Sequence, residues 1–115
     1  MFTINTPALM DLLGRDPNSE VLLINVMPPS EFERAHIMGS KSVPIAEDDF
    51  VDEVATLAGD KRRSVVVYCA NHDCDASTVA AKQLENAGFV HVYDYIGGTH
   101  EWSEAGLPIE SGQER

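Results

Sequence analysis

The chain is 115 residues long, is 43% hydrophobic, and carries 19 acidic against 8 basic side chains, a formal net charge of −11. That length fits one domain, residues 1–115, with one core, and the composition is that of globular rather than disordered material. The acid excess argues against nucleic acid or an anionic membrane as partner, and suits solubility or docking to a basic protein.

Thr6-Pro7 opens a first helix, with Thr6 as N-cap and Pro7 in the first turn; Leu9, Leu12 and Leu13 form its apolar stripe and Gly14 stands near its stop. Val21 to Val26 is almost continuously apolar, the pattern of a strand buried on both faces. Pro28-Pro29-Ser30 breaks it and caps a short helix through Ala35, and Val43-Pro44-Ile45 reads as a short extended piece. From Ala46 to Ala58 the spacing of Phe50, Val51, Val54, Leu57 and Ala58 predicts an amphipathic helix, ended by Gly59.

Ser64 to Cys69 is the central strand, and Ala76 to Ala87 a helix with Val79, Ala80 and Leu84 facing inward and Gly88 at its end. Val90 to Ile96 is a further strand; Gly97-Gly98 turns the chain into a last short helix around His100 to Glu104, and the end from Ser111 to Arg115 is expected to fray. Strands alternating with helices predict an α/β fold: a small parallel sheet with helices on both faces. There is no internal repeat, linker or low-complexity stretch. The N-terminus shows neither a basic leader nor a long apolar stretch, no run is long enough to span a bilayer, and two cysteines are too few for a secreted disulfide scaffold. A cytoplasmic, reducing setting is the expectation.

Chemistry concentrates at Cys69. It ends an apolar strand, a polar loop follows (Ala70-Asn71-His72-Asp73-Cys74-Asp75), and a helix begins near Ala76. A thiol between a buried strand and a helix N-terminus lies where backbone N–H groups converge at the positive end of the helix dipole, so a thiolate or a bound anion is favoured there. The competing reading is a buried, inert cysteine, common in sheets. Cys74 completes a Cys-x4-Cys loop. Either it resolves a persulfide or sulfenate on Cys69 as a disulfide, or it is a small residue that caps or packs beneath the next helix. His72 either supplies a cation beside the thiolate or lines the loop. Zinc on Cys69, His72 and Cys74 would need His91, His100 or a carboxylate as fourth ligand, and the spacing matches none of the usual pairings.

Three segments, in order and at fitting spacing, carry a family resemblance. They are Leu22–Val26 with Pro29–Ile45, then Val66-Val67-Tyr68-Cys69, then Ala80–Phe89 with Gly97-Gly98-Thr99-His100-Glu101-Trp102 and Gly106-Leu107-Pro108. Together they resemble the rhodanese-like (sulfurtransferase) family over nearly the whole chain. The stretch at Ala35-His36-Ile37-Met38-Gly39-Ser40 is similar to the family's "G-H-I-x-G-A" turn, and the last segment to its closing "G-G-x-x-x-W…G-x-P". The resemblance implies a three-layer α/β/α fold and Cys69 as the sulfur-carrying cysteine. It implies that backbone N–H groups of Ala70, Asn71, His72, Asp73, Cys74 and Asp75 hold the outer sulfur. It also implies a sulfur donor and a thiol, cyanide or protein acceptor as partners, and no metal or organic cofactor. His36 is then a structural residue whose ring bonds backbone, and Trp102 a core residue behind Gly97-Gly98.

Several positions depart from the family pattern. The loop is slightly longer than in short-loop members, lacks Lys and Arg, and carries Asp73 and Asp75, which repel a dianion such as thiosulfate. A neutral or protein-bound persulfide donor fits that charge better. Phosphatase relatives of the fold use Cys-x5-Arg; the matching position is Asp75, which repels phosphate. Asn25 and Met27 stand where relatives have Asp and Arg, and Met27 cannot replace a cation. The sequence thus supports a sulfurtransferase on Cys69. The alternatives are a catalytically weak rhodanese module that docks a basic partner, or a Cys69/Cys74 redox switch. The oligomeric state is not legible.

Overall fold

The runs Leu22–Asn25 and Val65–Tyr68 are buried at every residue and lie inside a five-stranded sheet whose edge strands are partly exposed. The computed structural model describes residues 1–14, 21–71 and 73–112. In chain order the elements are β1 (Phe2–Ile4), α1 (Thr6–Gly14), β2 (Leu22–Asn25), α2 (Pro29–Arg34), β3 (His36–Ile37), β4 (Lys41–Ser42), α3 (Phe50–Ala58), β5 (Val65–Tyr68), α4 (Ala76–Asn86), β6 (Val92–Tyr95), α5 (Gly98–Glu104) and β7 (Ile109–Glu110). The main sheet runs β1-β6-β5-β2-β4 with every pair parallel; β3 and β7 form a small antiparallel pair.

Alternation along β5 divides the core in two. Val65, Val67 and Cys69 face a cluster built with Phe50 and Val54 of α3 and Ala80, Ala81 and Leu84 of α4. Val66 and Tyr68 face the opposite cluster, with Leu9 of α1, Trp102 of α5 and Tyr95. Helices therefore cover both faces, as the strand–helix alternation predicts, and the single expected core is two half-cores separated by the sheet. Full burial of each such aliphatic side chain contributes about 1.5–3 kcal/mol before ordering entropy is subtracted.

The topology sets where a site can form. From β2 the chain moves outward to β4, whereas from β5 it moves the other way to β6. The carboxyl ends of β2 and β5 thus flank a switch point, where connections diverge and leave a crevice.

Local readings hold in part. The helix predicted from Ala46 begins at Phe50; Asp48 and Asp49 favour turn geometry over a helix interior, and Asp49 takes the N-cap position. Of the residues of α4 expected inward, Ala80 and Leu84 are buried, joined by Ser77 and Ala81, whereas Val79 is 46% exposed. The side chain that caps the start of α1 is Asn5, whose Oδ1 accepts from the Ala8 N–H at 3.0 Å. Thr6 Oγ1 meets the Tyr95 hydroxyl at 2.6 Å instead. β1 has no sequence counterpart above: three residues, two of them exposed, give too little pattern. The expected fraying from Ser111 does not describe Gly112, whose N–H donates to Glu33 O at 2.7 Å; residues 113–115 lie outside the described residues.

His36 and Trp102 are scaffold. His36 is buried, stacks on Phe32 at 3.7 Å between ring centroids, and places Nδ1 2.7 Å from Phe32 O. Trp102 meets Tyr95 edge-on and donates from Nε1 to Pro108 O at 3.0 Å.

Candidate active site

Cys69 directly follows β5, 1% exposed, at the crevice between β2 and β5. Its surroundings come from three directions. The loop after it wraps one side, the first turn of α4 another, and the start of α5 fixes the backbone. Thr99 N–H donates to Cys69 O at 3.1 Å, and His100 N–H to Ala70 O at 2.8 Å. A trans peptide points its N–H opposite to its C=O. Two carbonyls held toward α5 therefore turn the N–H groups of Ala70 and Asn71 away from α5, into the loop. Gly98 makes this approach possible. It has φ +65°, and a Cβ there would fall 2.3 Å from Cys69 O. Only glycine fits both the backbone conformation and the space.

The loop closes on itself. Asn71 Oδ1 accepts from Asp73 N–H at 3.0 Å, and Asn71 O from Cys74 N–H at 3.1 Å. This turn carries Cys74 back over Cys69, and the two form a disulfide with Cα atoms 6.4 Å apart. The Cys74 carbonyl oxygen lies 3.5 Å from Cys69 Sγ. Asp75 takes the N-cap position of α4 without a side-chain cap bond. Ala70, Asn71, Asp73, Cys74 and Asp75 therefore all lie in the short segment that wraps Cys69, with Asp73 and Asp75 exposed. His72 lies outside the described residues. His91 cannot join any ligand set here: its carbonyl bonds Val65 N–H, at the opposite end of β5 from Cys69.

Two contributors were not read from the sequence. Ser77, in the first turn of α4, is 1% exposed with Oγ 4.0 Å from Cys69 Sγ. Ser77 lies just past the loop that the sequence marks; a hydroxyl in the first helical turn after a candidate nucleophile is the signal that would find it. Arg34 comes from α2. It lines a cavity of about 220 Å³ together with Asn25, Met27, Ala70, Asn71 and His100. Its Nη1 lies 3.4 Å from Glu31 Oε1, also on the cavity wall. The loop lacks Lys and Arg, yet the crevice it borders is lined by Arg34.

Below the crevice, Tyr68 ties the sheet to β3. Its hydroxyl accepts from Ile37 N–H at 3.0 Å and lies 2.7 Å from Ser40 Oγ. Burial pushes its ionisation above the usual tyrosine range, against the opposing influence of hydrogen bonds from Ser40, Asn25, Ile37 and Thr99. Asn25 Oδ1 also accepts from Met27 N–H at 2.9 Å, so Asn25 retains hydrogen bonding at the carboxyl end of β2 without a charge.

The same fold recurs in known proteins. The family model described as a rhodanese-like domain matches residues 7–105. An HTH-type transcriptional regulator of Mycobacterium tuberculosis is 37% identical over 102 residues, 89% of this chain and 43% of the regulator. Thiosulfate sulfurtransferase 16 of Arabidopsis thaliana, a chloroplastic protein, is 29% identical over 97 residues, 76% of this chain and 78% of that one. Among solved structures, a thiosulfate sulfurtransferase from Pseudomonas aeruginosa superimposes with a TM-score of 0.85 at 32% identity, covering 100% of this chain and 21% of that one. This chain thus spans less than half of the regulator and about a fifth of the Pseudomonas enzyme. Among the described residues no helix is long and apolar enough to cross a membrane. A family match over 99 residues, a parallel sheet in the same arrangement and a cysteine at the carboxyl end of its central strand lead to one assignment: the chain belongs to the rhodanese-like domain family.

Proposed function

We propose that this protein is a single-domain sulfurtransferase that carries a sulfane sulfur as a persulfide on Cys69 and passes it to a thiol, cyanide or protein acceptor. One observation carries the reading. The two carbonyls that follow β5 are held by the amides of α5, so N–H groups beside Cys69 turn into the loop, where an outer sulfur or its anion would sit. The amides of Ala70 and Asn71 then act as the cradle, those of Asp73 and Cys74 being taken by Asn71, and the cavity at Ala70 and Asn71 as the approach. Related proteins that bear the sulfurtransferase name support the same chemistry.

In loading, the Cys69 thiolate attacks the sulfane sulfur of a donor. A bond forms between Cys69 Sγ and that sulfur, the donor's own bond to it breaks, and the electron pair leaves with the donor. In discharge, an acceptor thiolate attacks the outer sulfur and the electron pair of the broken bond returns to Cys69. Both steps require the Cys69–Cys74 bond to be open, which a reducing, cytoplasmic setting provides. The test is intact mass of the reduced protein after exposure to a low-molecular-weight persulfide and, separately, to thiosulfate. Gain of one sulfur, removed by cyanide and missing in Cys69→Ser, is the expected result; transfer retained by Cys69→Ser overturns the reading.

A second reading, a redox switch, is favoured by the Cys69–Cys74 disulfide itself. It expects the oxidised protein to refuse sulfur from either donor and to regain uptake after reduction.

A further inference from the structure

We propose that Cys74 is a second nucleophile of the reaction: it discharges the Cys69 persulfide by closing the Cys69–Cys74 disulfide and releases the outer sulfur as hydrosulfide. The proposal rests on the persulfide reading above and adds a reductive half-reaction to it.

The loop is folded for this step. The Asn71 turn, with its two hydrogen bonds to Asp73 and Cys74, brings Cys74 back over Cys69. The Cα separation of 6.4 Å lies inside the range that a disulfide spans without backbone movement. Cys74 packs on the same half-core that Cys69 faces, the α3/α4 side of the sheet. Cys69 is 1% exposed. An outer sulfur on Cys69 would thus share its space with the Cys74 thiol, whereas an external thiol must enter through the crevice. A reactant held at bonding distance acts at an effective concentration far above that of any free thiol. The acids beside the loop, Asp73 and Asp75, also repel anionic thiolates arriving from solution.

The step balances. The Cys74 thiolate attacks Cys69 Sγ of Cys69–S–SH. An S–S bond forms between the two cysteines, the bond from Cys69 Sγ to the outer sulfur breaks, and its electron pair leaves on HS⁻. The outer sulfur is reduced from sulfane to sulfide, and the two cysteine sulfurs are oxidised to the disulfide. Ser77 Oγ, 4.0 Å from Cys69 Sγ, lies beside the sulfur under attack. A dithiol reductant then reopens the pair for the next turnover. Run backwards, hydrosulfide attacks Cys69 Sγ of the oxidised protein and leaves Cys69–S–SH with a free Cys74 thiol.

The test uses both directions. Reduced protein is loaded with a low-molecular-weight persulfide, freed of donor, and held without any thiol while hydrosulfide and intact mass are followed. Wild type should release one hydrosulfide per loaded chain and end two hydrogens lighter than the reduced protein, with Cys69 and Cys74 joined in the peptide map. Once loaded, Cys74→Ser and Cys74→Ala should keep their sulfur at least about tenfold longer. Equal release from wild type and both variants overturns the proposal, as does a wild type that holds its sulfur with Cys74 still open to alkylation. In the reverse arm, oxidised wild type treated with sodium hydrosulfide should gain one sulfur on Cys69 and expose Cys74. If donors fail to load the protein but this arm succeeds, the donor reading falls and the Cys74 step stands. If hydrosulfide adds nothing, or adds to Cys74, the Cys74 step falls.

Discussion

Gly98 of α5 and Cys69 at the end of β5 stand so close that a Cβ on Gly98 would lie 2.3 Å from the Cys69 carbonyl oxygen. That contact lets the amides of Thr99 and His100 reach the two carbonyls that follow β5. Gly98→Ala therefore adds a backbone clash to the cost of φ +65°. Gly106 has φ +78° and open space around its Cβ position, so Gly106→Ala isolates the conformational cost alone, about 1 kcal/mol. Gly98→Ala should cost about 3 kcal/mol or more in urea unfolding and lower sulfur uptake on Cys69 at least about tenfold. Equal costs for the two variants would remove the clash from the account.

Ser77 is buried and its hydroxyl faces the sulfur of Cys69. Ser77→Ala deletes that hydroxyl in the first turn of a helix where alanine is tolerated, so stability should change by less than about 1 kcal/mol. In the reduced protein the rate of Cys69 alkylation at neutral pH should fall by roughly threefold, the size of one weak hydrogen bond to a sulfur anion. Rate and stability measured on the same preparation separate a role at the sulfur from a role in packing; an unchanged alkylation rate would leave only packing.

What the sequence showed and what it hid follow from range. The runs Val21–Val26 and Ser64–Cys69 are apolar enough that their strands could only be central, and β2 and β5 are the two strands of the main sheet buried at every residue. The cysteine loop was legible because its residues are consecutive. Gly98, Thr99 and His100 lie some thirty residues past Cys69, and Arg34 as far before it, so no local pattern marks that they meet the loop. The Gly97-Gly98 pair was visible as a turn; its service to the Cys69 carbonyl is a tertiary fact. Val79 misled for a similar reason. Its apolar side chain fits the helical period, but the stripe that α4 buries runs through Ser77, Ala80, Ala81 and Leu84 and leaves Val79 outside it.

Charge in the loop should decide between sulfur donors. Asp75 is exposed, at the N-cap of α4, and makes no side-chain cap bond. Asp75→Asn removes one negative charge near an incoming dianion while keeping a good N-cap residue. Thiosulfate uptake should rise by about threefold at low ionic strength, from a repulsion of roughly half a kcal/mol in a wet site. Half a molar salt should erase most of the gain, and uptake from an uncharged persulfide should not change. Arg34→Gln should move thiosulfate the other way, because it removes the arginine that lines the crevice. A thiosulfate rate indifferent to both changes would show that the donor's charge is not felt at the loop.

Tyr68 links stability to pH. Burial foremost raises its ionisation above the ordinary value of 10.0; Tyr95 is raised for the same first reason. The sign follows from which state binds the proton. Above pH ~10 the unfolded chain releases the tyrosine protons while the folded chain retains them, so the unfolded state is favoured as pH rises. The contribution is fully present below pH ~10 and is lost through the folded-state ionisation. Tyr68→Phe removes the acceptor for Ile37 N–H and the partner of Ser40, and should cost about 1–3 kcal/mol at pH 8. Its urea midpoint should then decline less steeply than wild type above pH ~10, because one of the two shifted tyrosines is gone. Every other ionisable group is common to both proteins, so the difference between the two curves isolates Tyr68. Parallel curves would mean that the Tyr68 hydroxyl ionises alike in the folded and unfolded chains, against the burial that encloses it between β5 and β3.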